Sequence, residues 1–203
     1  MTTASPTLRN VIGLDNGLPR LADATLVMID FQNTYRTGVM ALEGADQALA
    51  AGARLLAAAR AAGTPVVHVV NDGGPDTPYD IRAEIGAISP EVAPADGEPV
   101  VVKGFPNAFH GTDLQETLRT LGAGAGTDLV LAGFMTHMCV SFTAQGAHAL
   151  GYRPTVVAEA TATRPLAAPD GTVVPAAVLQ AAALTTIADL FGPVAPTVDD
   201  LTA

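Results

Sequence analysis

The sequence predicts an α/β chain, a three-layer αβα sandwich around a mostly parallel, Rossmann-like sheet. Three observations carry that expectation. Short apolar runs rich in Val, Leu and Ile recur along the chain, helical patterns lie between several of them, and the runs are apolar throughout rather than alternating. Strands of that kind are buried on both faces, which a parallel sheet flanked by helices requires.

ATLVMID (24–30) is too short for a core helix, and the polar FQNTYRTG ends it, so it reads as a strand with Asp30 at its carboxyl end. From Leu42 the series Leu42, Ala45, Leu49, Ala53, Leu56 has helical spacing, and Gly63 is placed to stop it. TPVVHVVN (64–71) is the second strand. Residues 72–98 hold too many Gly and Pro for one element, and a connection this long in a compact domain reads as a lid or pocket wall.

PVVVK, ending at Lys103, is the third strand. In the following helix Thr112 and Gln115 have capping-box spacing, while Leu114, Leu118 and Leu121 share a face. DLVLAG (128–133) is the fourth strand. HMCVSFTAQGAHALG is a helix for Thr136 to cap and Gly151 to end, which puts Cys139 in its first turn. PTVVAEA (154–160) is a fifth strand and 175–192 a closing helix. One domain over 1–203, with a lid-like insertion at about 72–98, is the expected organisation.

The chain has 203 residues, 49% of them apolar, enough for a core without metal or disulfide support. Its formal charge of −10 argues against nucleic acid, whose phosphates need clustered Lys and Arg. The single cysteine cannot form an internal disulfide, no run is long enough to span a membrane, and MTTASPTLRN lacks a signal-peptide core. A cytoplasmic protein with small-molecule partners, no nucleic acid and no membrane is the expectation.

In an open parallel α/β sheet, ligands collect at the carboxyl ends of the strands. There the sequence delivers a carboxylate, an amine and a thiol: Asp30, Lys103, which is the sole lysine, and Cys139, the sole cysteine. Each has an ordinary reading alone, as a turn former, a solvated charge and a small buried hydrophobe. Together they suit nucleophilic chemistry. A thiol attacks as thiolate, and both a helix N-terminus and an ammonium favour that anion, predicting a lowered thiol pKa. Asp30 can take the proton and pass it to a leaving amine. Backbone N–H groups at the FMTHMC turn can hold an oxyanion.

LVMIDFQNTY, VVKGFPNAF and LVLAGFMTHMCV, in that order, resemble the isochorismatase-like cysteine hydrolases, a family that includes nicotinamidases, N-carbamoylsarcosine and ureidoacrylate amidohydrolases and streptothricin hydrolase. The similarity runs from about Ala24 to Arg164. It implies Asp30 as general base, Lys103 as orienting cation and Cys139 as nucleophile forming a thioester or related intermediate. It also implies a cis peptide between Phe134 and Met135, oxyanion donors at the N–H groups of Met135 and Cys139, a pocket aromatic at Tyr35, and a dimer or tetramer of identical chains. The expected activity is metal-independent hydrolysis of a C–N bond in a small amide, lactam or ureido compound, with no cofactor.

Family members that bind a metal carry Asp and His after the second strand. Here VNDGGPDTPYDIRAEIG has no histidine, and a carboxylate pair such as Asp72 and Asp76 suits zinc or iron poorly. Members that cleave the vinyl ether of isochorismate lack the cysteine, so amide chemistry is favoured. A vinyl-ether hydrolase using Asp30 as acid, or a thiol redox sensor without a resolving cysteine, are the alternatives. Tyr79, Phe109 and Phe134 are further candidates for pocket walls, and His137 for substrate contact. LGAGAGTD precedes a strand and lacks the Lys-Ser/Thr of a phosphate loop.

Overall fold

The computed structural model describes residues 3–202. Strands β1 (Ala24–Ile29), β2 (Val66–Asn71), β3 (Val100–Lys103), β4 (Asp128–Phe134) and β5 (Arg153–Ala162) follow the predicted order. Two short strands, β6 (Leu166–Ala167) and β7 (Val173–Val174), form a separate antiparallel hairpin, and β8 (Val194–Ala195) completes the main sheet. That sheet has the order β3-β2-β1-β4-β5-β8 with every pairing parallel. The order reverses direction between β1 and β4, the switch point where the loops leaving two adjacent strands diverge and open a crevice.

Helices α1 (Leu8–Val11), α2 (Ala45–Ala62), α3 (Leu114–Thr120), α4 (Ser141–Ala149) and α5 (Ala176–Thr186) surround the sheet. Strand side chains alternate faces, and the core divides accordingly. Leu26, Met28, Val130 and Ala132 pack under Leu49, Leu55 and Leu56 of α2. Val27, Ile29, Leu129 and Leu131 pack under Leu114 and Leu118 of α3 and Ala144 and Ala147 of α4. These are the three expected layers. All six residues of β1 are buried, as a central parallel strand requires.

Gly63 ends α2 in the left-handed conformation, its N–H donating to the helix's last carbonyls, as predicted. Gly151, with φ 85°, likewise follows the end of α4, its N–H donating to the His148 carbonyl at 3.0 Å, but the two predicted N-caps are not made. The Thr112 hydroxyl donates to the Ala108 carbonyl and accepts from the Leu114 N–H, so it is not paired with the Gln115 N–H, and Asp113 occupies the cap position. Thr136 likewise donates its hydroxyl across to the Ala162 carbonyl at 3.0 Å. The chain at Thr136–Val140 winds as a wide π-type turn before α4 begins. The closing helix also ends in such a turn, at Ile187–Phe191.

The stretch 72–98 contains two short 3₁₀ turns and is packed against the body of the fold. Its second half is stitched to the loop after β1: the Asn33 N–H donates to the Ala87 carbonyl at 3.0 Å and the Ser89 N–H to the Phe31 carbonyl at 2.8 Å. Val92 is buried in the α2 side of the core. Among the described residues, no helix is long and apolar enough to cross a membrane.

Candidate active site

Asp30 is the residue after β1, and its own N–H still pairs with β2 through the Val69 carbonyl at 2.8 Å. Its φ of 51° then turns the chain sharply away from the sheet. Asp tolerates this left-handed region better than most side chains do. Beside it, Gly133 of β4 has φ 136°, and a Cβ there would lie 1.8 Å from the Ile29 carbonyl oxygen. Only glycine lets β1 and β4 approach so closely at their carboxyl ends. The peptide that follows, Phe134–Met135, is cis, as the resemblance implied.

Lys103 stands two strands from β1, in register with Asn71 of β2. Its long stem crosses that gap. The Lys103 Nζ lies 2.7 Å from Asp30 Oδ2, donates to Cys139 Sγ at 3.2 Å, and reaches Asn71 Oδ1 at 3.4 Å. The structure therefore brings together the three groups that the sequence placed on one sheet edge. All are out of water: Asp30 is 0% exposed, Lys103 2% and Cys139 6%.

Burial sets the electrostatics. It pushes the Asp30 carboxyl above the ordinary range, with Lys103 only partly opposing it. Burial also penalises the Lys103 ammonium, but the neighbouring Asp30 and Cys139 more than compensate and hold its pKa above the usual value. The thiol runs against the sequence-based expectation. Burial and the adjacent Asp30 charge push Cys139 up to about 12, despite the opposing pull of Lys103. A helix N-terminus and one ammonium cannot offset the loss of water together with a neighbouring anion. The resting site therefore holds a neutral thiol beside an ion pair.

Neither Asp30 oxygen receives a hydrogen bond in good geometry; the close approach to Lys103 is a charge contact. A carboxylate in that condition has lone pairs free to accept a proton. Beside it, the Met135 carbonyl accepts from the Met138 and Val140 N–H groups at 3.0 and 3.2 Å, which fixes the turn carrying Cys139. Among the described residues, the backbone bonds outside helices and strands leave the Met135 N–H without an acceptor.

Tyr35, Tyr79 and Phe134 form an aromatic cluster. The Tyr35 ring meets Tyr79 edge-on at 5.8 Å and Phe134 at 5.5 Å, and both tyrosines lie within electrostatic reach of Asp30 and Cys139. Phe109 is not in this cluster. Its ring stacks at 5.8 Å on Tyr152, the residue before β5, and packs with the α3 and α4 layer. His137 sits in the Cys139 turn, its Nδ1 2.5 Å from the Thr163 hydroxyl. Asp72 is held by both outer nitrogens of Arg82 at 2.9 Å.

Sequence reasoning missed Gln32. Fully buried, it bonds Asn71 through both backbone groups, accepting from N–H at 2.9 Å and donating to the carbonyl at 3.0 Å, and donates to the Gly86 carbonyl at 2.7 Å. It thereby ties the β1 loop, the Lys103 neighbour Asn71 and the 72–98 stretch into one unit. The polar run FQN directly after a buried strand was the available signal, since buried amides are retained where they can be fully bonded.

The Isochorismatase domain model matches residues 24–199, nearly the whole described chain. The chain belongs to the isochorismatase family. It is a hydrolase of that family, with the buried Cys139 beside Lys103 and Asp30. A crystal structure of an isochorismatase from Pseudomonas putida superposes with a TM-score of 0.91 at 41% identity, covering 97% of this chain and 99% of that one. The secreted isochorismatase effector Isc1 of Verticillium dahliae is 34% identical over 91% of this chain and 93% of its own length. A streptothricin hydrolase from Streptomyces noursei is 36% identical over 78% of this chain and 62% of its own. Further relatives are named ureidoacrylate amidohydrolase and maleamate amidohydrolase.

Proposed function

We propose that this hydrolase cleaves a C–N amide, lactam or ureido bond of a small molecule, with Cys139 as the nucleophile. The buried Asp30–Lys103–Cys139 cluster, with an unsatisfied carboxylate facing a neutral thiol, is the observation that carries the reading. Relatives named for amide substrates support it.

Asp30 accepts the thiol proton as Sγ bonds to the substrate carbonyl carbon. The displaced electron pair goes to the carbonyl oxygen, held by the Met135 and Cys139 N–H groups. Collapse of that intermediate breaks the C–N bond, and the nitrogen leaves with the proton from Asp30. Asp30 then takes a proton from water, whose hydroxyl attacks the thioester; the acid departs and the thiol is restored. Lys103 keeps Asp30 and Sγ aligned throughout, and its compact ammonium fits where a planar guanidinium would not. Tyr35, Tyr79 and Phe134 wall the acyl side of the substrate.

Purified protein offered a panel of small amides, lactams and ureido acids should release ammonia or amine, or give ring-opened acid, from at least one compound. Cys139→Ala should abolish that turnover. Turnover at the wild-type rate without Cys139 rejects the nucleophile, and pyruvate release from isochorismate by that variant would establish the vinyl-ether alternative instead.

A further inference from the structure

The parallel ladder between β1 and β2 is regular until it reaches the site. The Leu26 N–H donates to the Pro65 carbonyl at 2.9 Å and the Asp30 N–H to the Val69 carbonyl at 2.8 Å. Continued by one step, the ladder would run from the Asn71 N–H to the Asp30 carbonyl and from the Gln32 N–H to the Asn71 carbonyl. Instead the left-handed turn at Asp30, which brings its carboxylate to Lys103, carries the backbone away, and the Gln32 N–H closes on the Asp30 carbonyl at 2.7 Å. Both peptide groups of Asn71 lose their strand partner.

The Gln32 side chain takes the place of the missing strand. Its Oε1 accepts from the Asn71 N–H at 2.9 Å, and its Nε2 donates to the Asn71 carbonyl at 3.0 Å and to the Gly86 carbonyl at 2.7 Å. Two carbonyls and one N–H fix which end of the amide is which, and at 0% exposure no bulk water can substitute for it.

What this clamp holds is Lys103. Asn71 is its register partner, the Asp72 N–H donates to the Lys103 carbonyl at 2.9 Å, and Asn71 Oδ1 accepts from Nζ at 3.4 Å. An ammonium has three N–H groups, and three neighbours surround this one: Asp30 at 2.7 Å, Cys139 at 3.2 Å and Asn71. A carboxylate attracts an ammonium far more strongly than a neutral thiol does. With the third acceptor gone, Nζ would swing toward Asp30 and leave the sulfur.

We propose that Gln32 is a positioning residue, which by clamping Asn71 holds the Lys103 ammonium on the Cys139 sulfur. The role rests on Cys139 being the nucleophile of amide cleavage, and the test separates the two.

The readout is the rate at which iodoacetamide labels Cys139, which needs no substrate. Gln32→Met keeps the volume and removes all three side-chain bonds; at pH 8 it should label about tenfold more slowly than wild type, as a rise of one unit in the thiol pKa does. Gln32→Glu should label at an intermediate rate, because burial keeps that carboxyl protonated and its O–H and carbonyl oxygen remake the pair on Asn71. Were Gln32 only filling space, Met would be the better replacement. Asn71→Ala should slow labelling as Gln32→Met does. The double variant should be no more than about twofold slower than either single one, since both act through one contact. Asn71 is half-buried, so Asn71→Ala and Gln32→Glu carry the test if Gln32→Met does not fold. Labelling at or above the wild-type rate, Gln32→Met faster than Gln32→Glu, or effects that multiply in the double variant would each overturn the clamp. Slowed labelling with no amide turned over by wild-type protein leaves the clamp standing and rejects the amidohydrolase reading. Cys139-dependent turnover, with labelling unmoved by the Gln32 variants, does the reverse.

Discussion

Two carboxylates, the fully buried Asp30 and the half-buried Glu98, each sit with a cation and a further titratable group, and their surroundings drive them in opposite directions. Glu98 receives both guanidinium arms of Arg60 at 2.8 Å, the Ala95 N–H at 2.9 Å, and lies 2.9 Å from His68 Nε2. These bonds, Arg60 foremost, hold it down at about 2. Asp30 has a cation at 2.7 Å but no properly aligned donor, and burial pushes its carboxyl up. Complete burial on one side, and hydrogen bonds to the charged form on the other, separate a carboxylate that can move a proton from one that ties down a fold.

Exchanging the roles should therefore fail in both directions. Asp30→Asn should lower turnover by on the order of 10³-fold, as loss of a general base does. Lys103→Arg keeps the charge but misplaces Asp30 and Sγ, and should cost about 10²-fold in kcat with the fold retained by circular dichroism. Full activity in that variant would mean that any cation suffices. Glu98→Gln should leave turnover largely intact and instead lower unfolding free energy by about 2 kcal/mol in urea titration.

The acid limb of stability sharpens the same contrast. The folded pKa of Glu98 is depressed, so its contribution is fully present above the unfolded value and is lost as pH falls through about 2. Wild-type protein should lose stability progressively between roughly pH 5 and 2, and Glu98→Gln should show a shallower loss there. The smallest effect belongs to a pair left in water. Arg119 and Glu116 are 58% and 74% exposed, so Arg119→Ala should change stability by less than about 1 kcal/mol.

The strands that place Asp30, Lys103 and Cys139 were readable because each is an uninterrupted apolar run ending in one polar group, and the sheet edge follows from strand direction. The two predicted caps were not, because Thr112 and Thr136 had other acceptors, and the one at Ala162 lies 26 residues away in sequence. β8 escaped notice because two residues between prolines carry no periodic signal. The raised thiol pKa was missed for a different reason. Sequence shows which charges are near, but the direction of the shift depends on how completely water is excluded. Phe109 was misplaced because a loop aromatic gives no indication of which way it turns, and here it turned to Tyr152.

In the proposed mechanism the resting thiol is neutral, and Asp30, not a preformed thiolate, supplies its reactivity toward substrate. The rate of Cys139 alkylation by iodoacetamide against pH, in wild-type protein and in Asp30→Asn, tests it most directly. With the thiol pushed up to about 12, the wild-type rate should climb about tenfold per pH unit between roughly pH 7 and 10 without levelling. Removing the Asp30 charge while Lys103 remains should shift that profile to lower pH, so Asp30→Asn labels faster at neutral pH although it has lost turnover. A wild-type plateau below pH 9, or an Asp30→Asn profile that is unmoved or shifted upward, would contradict the account.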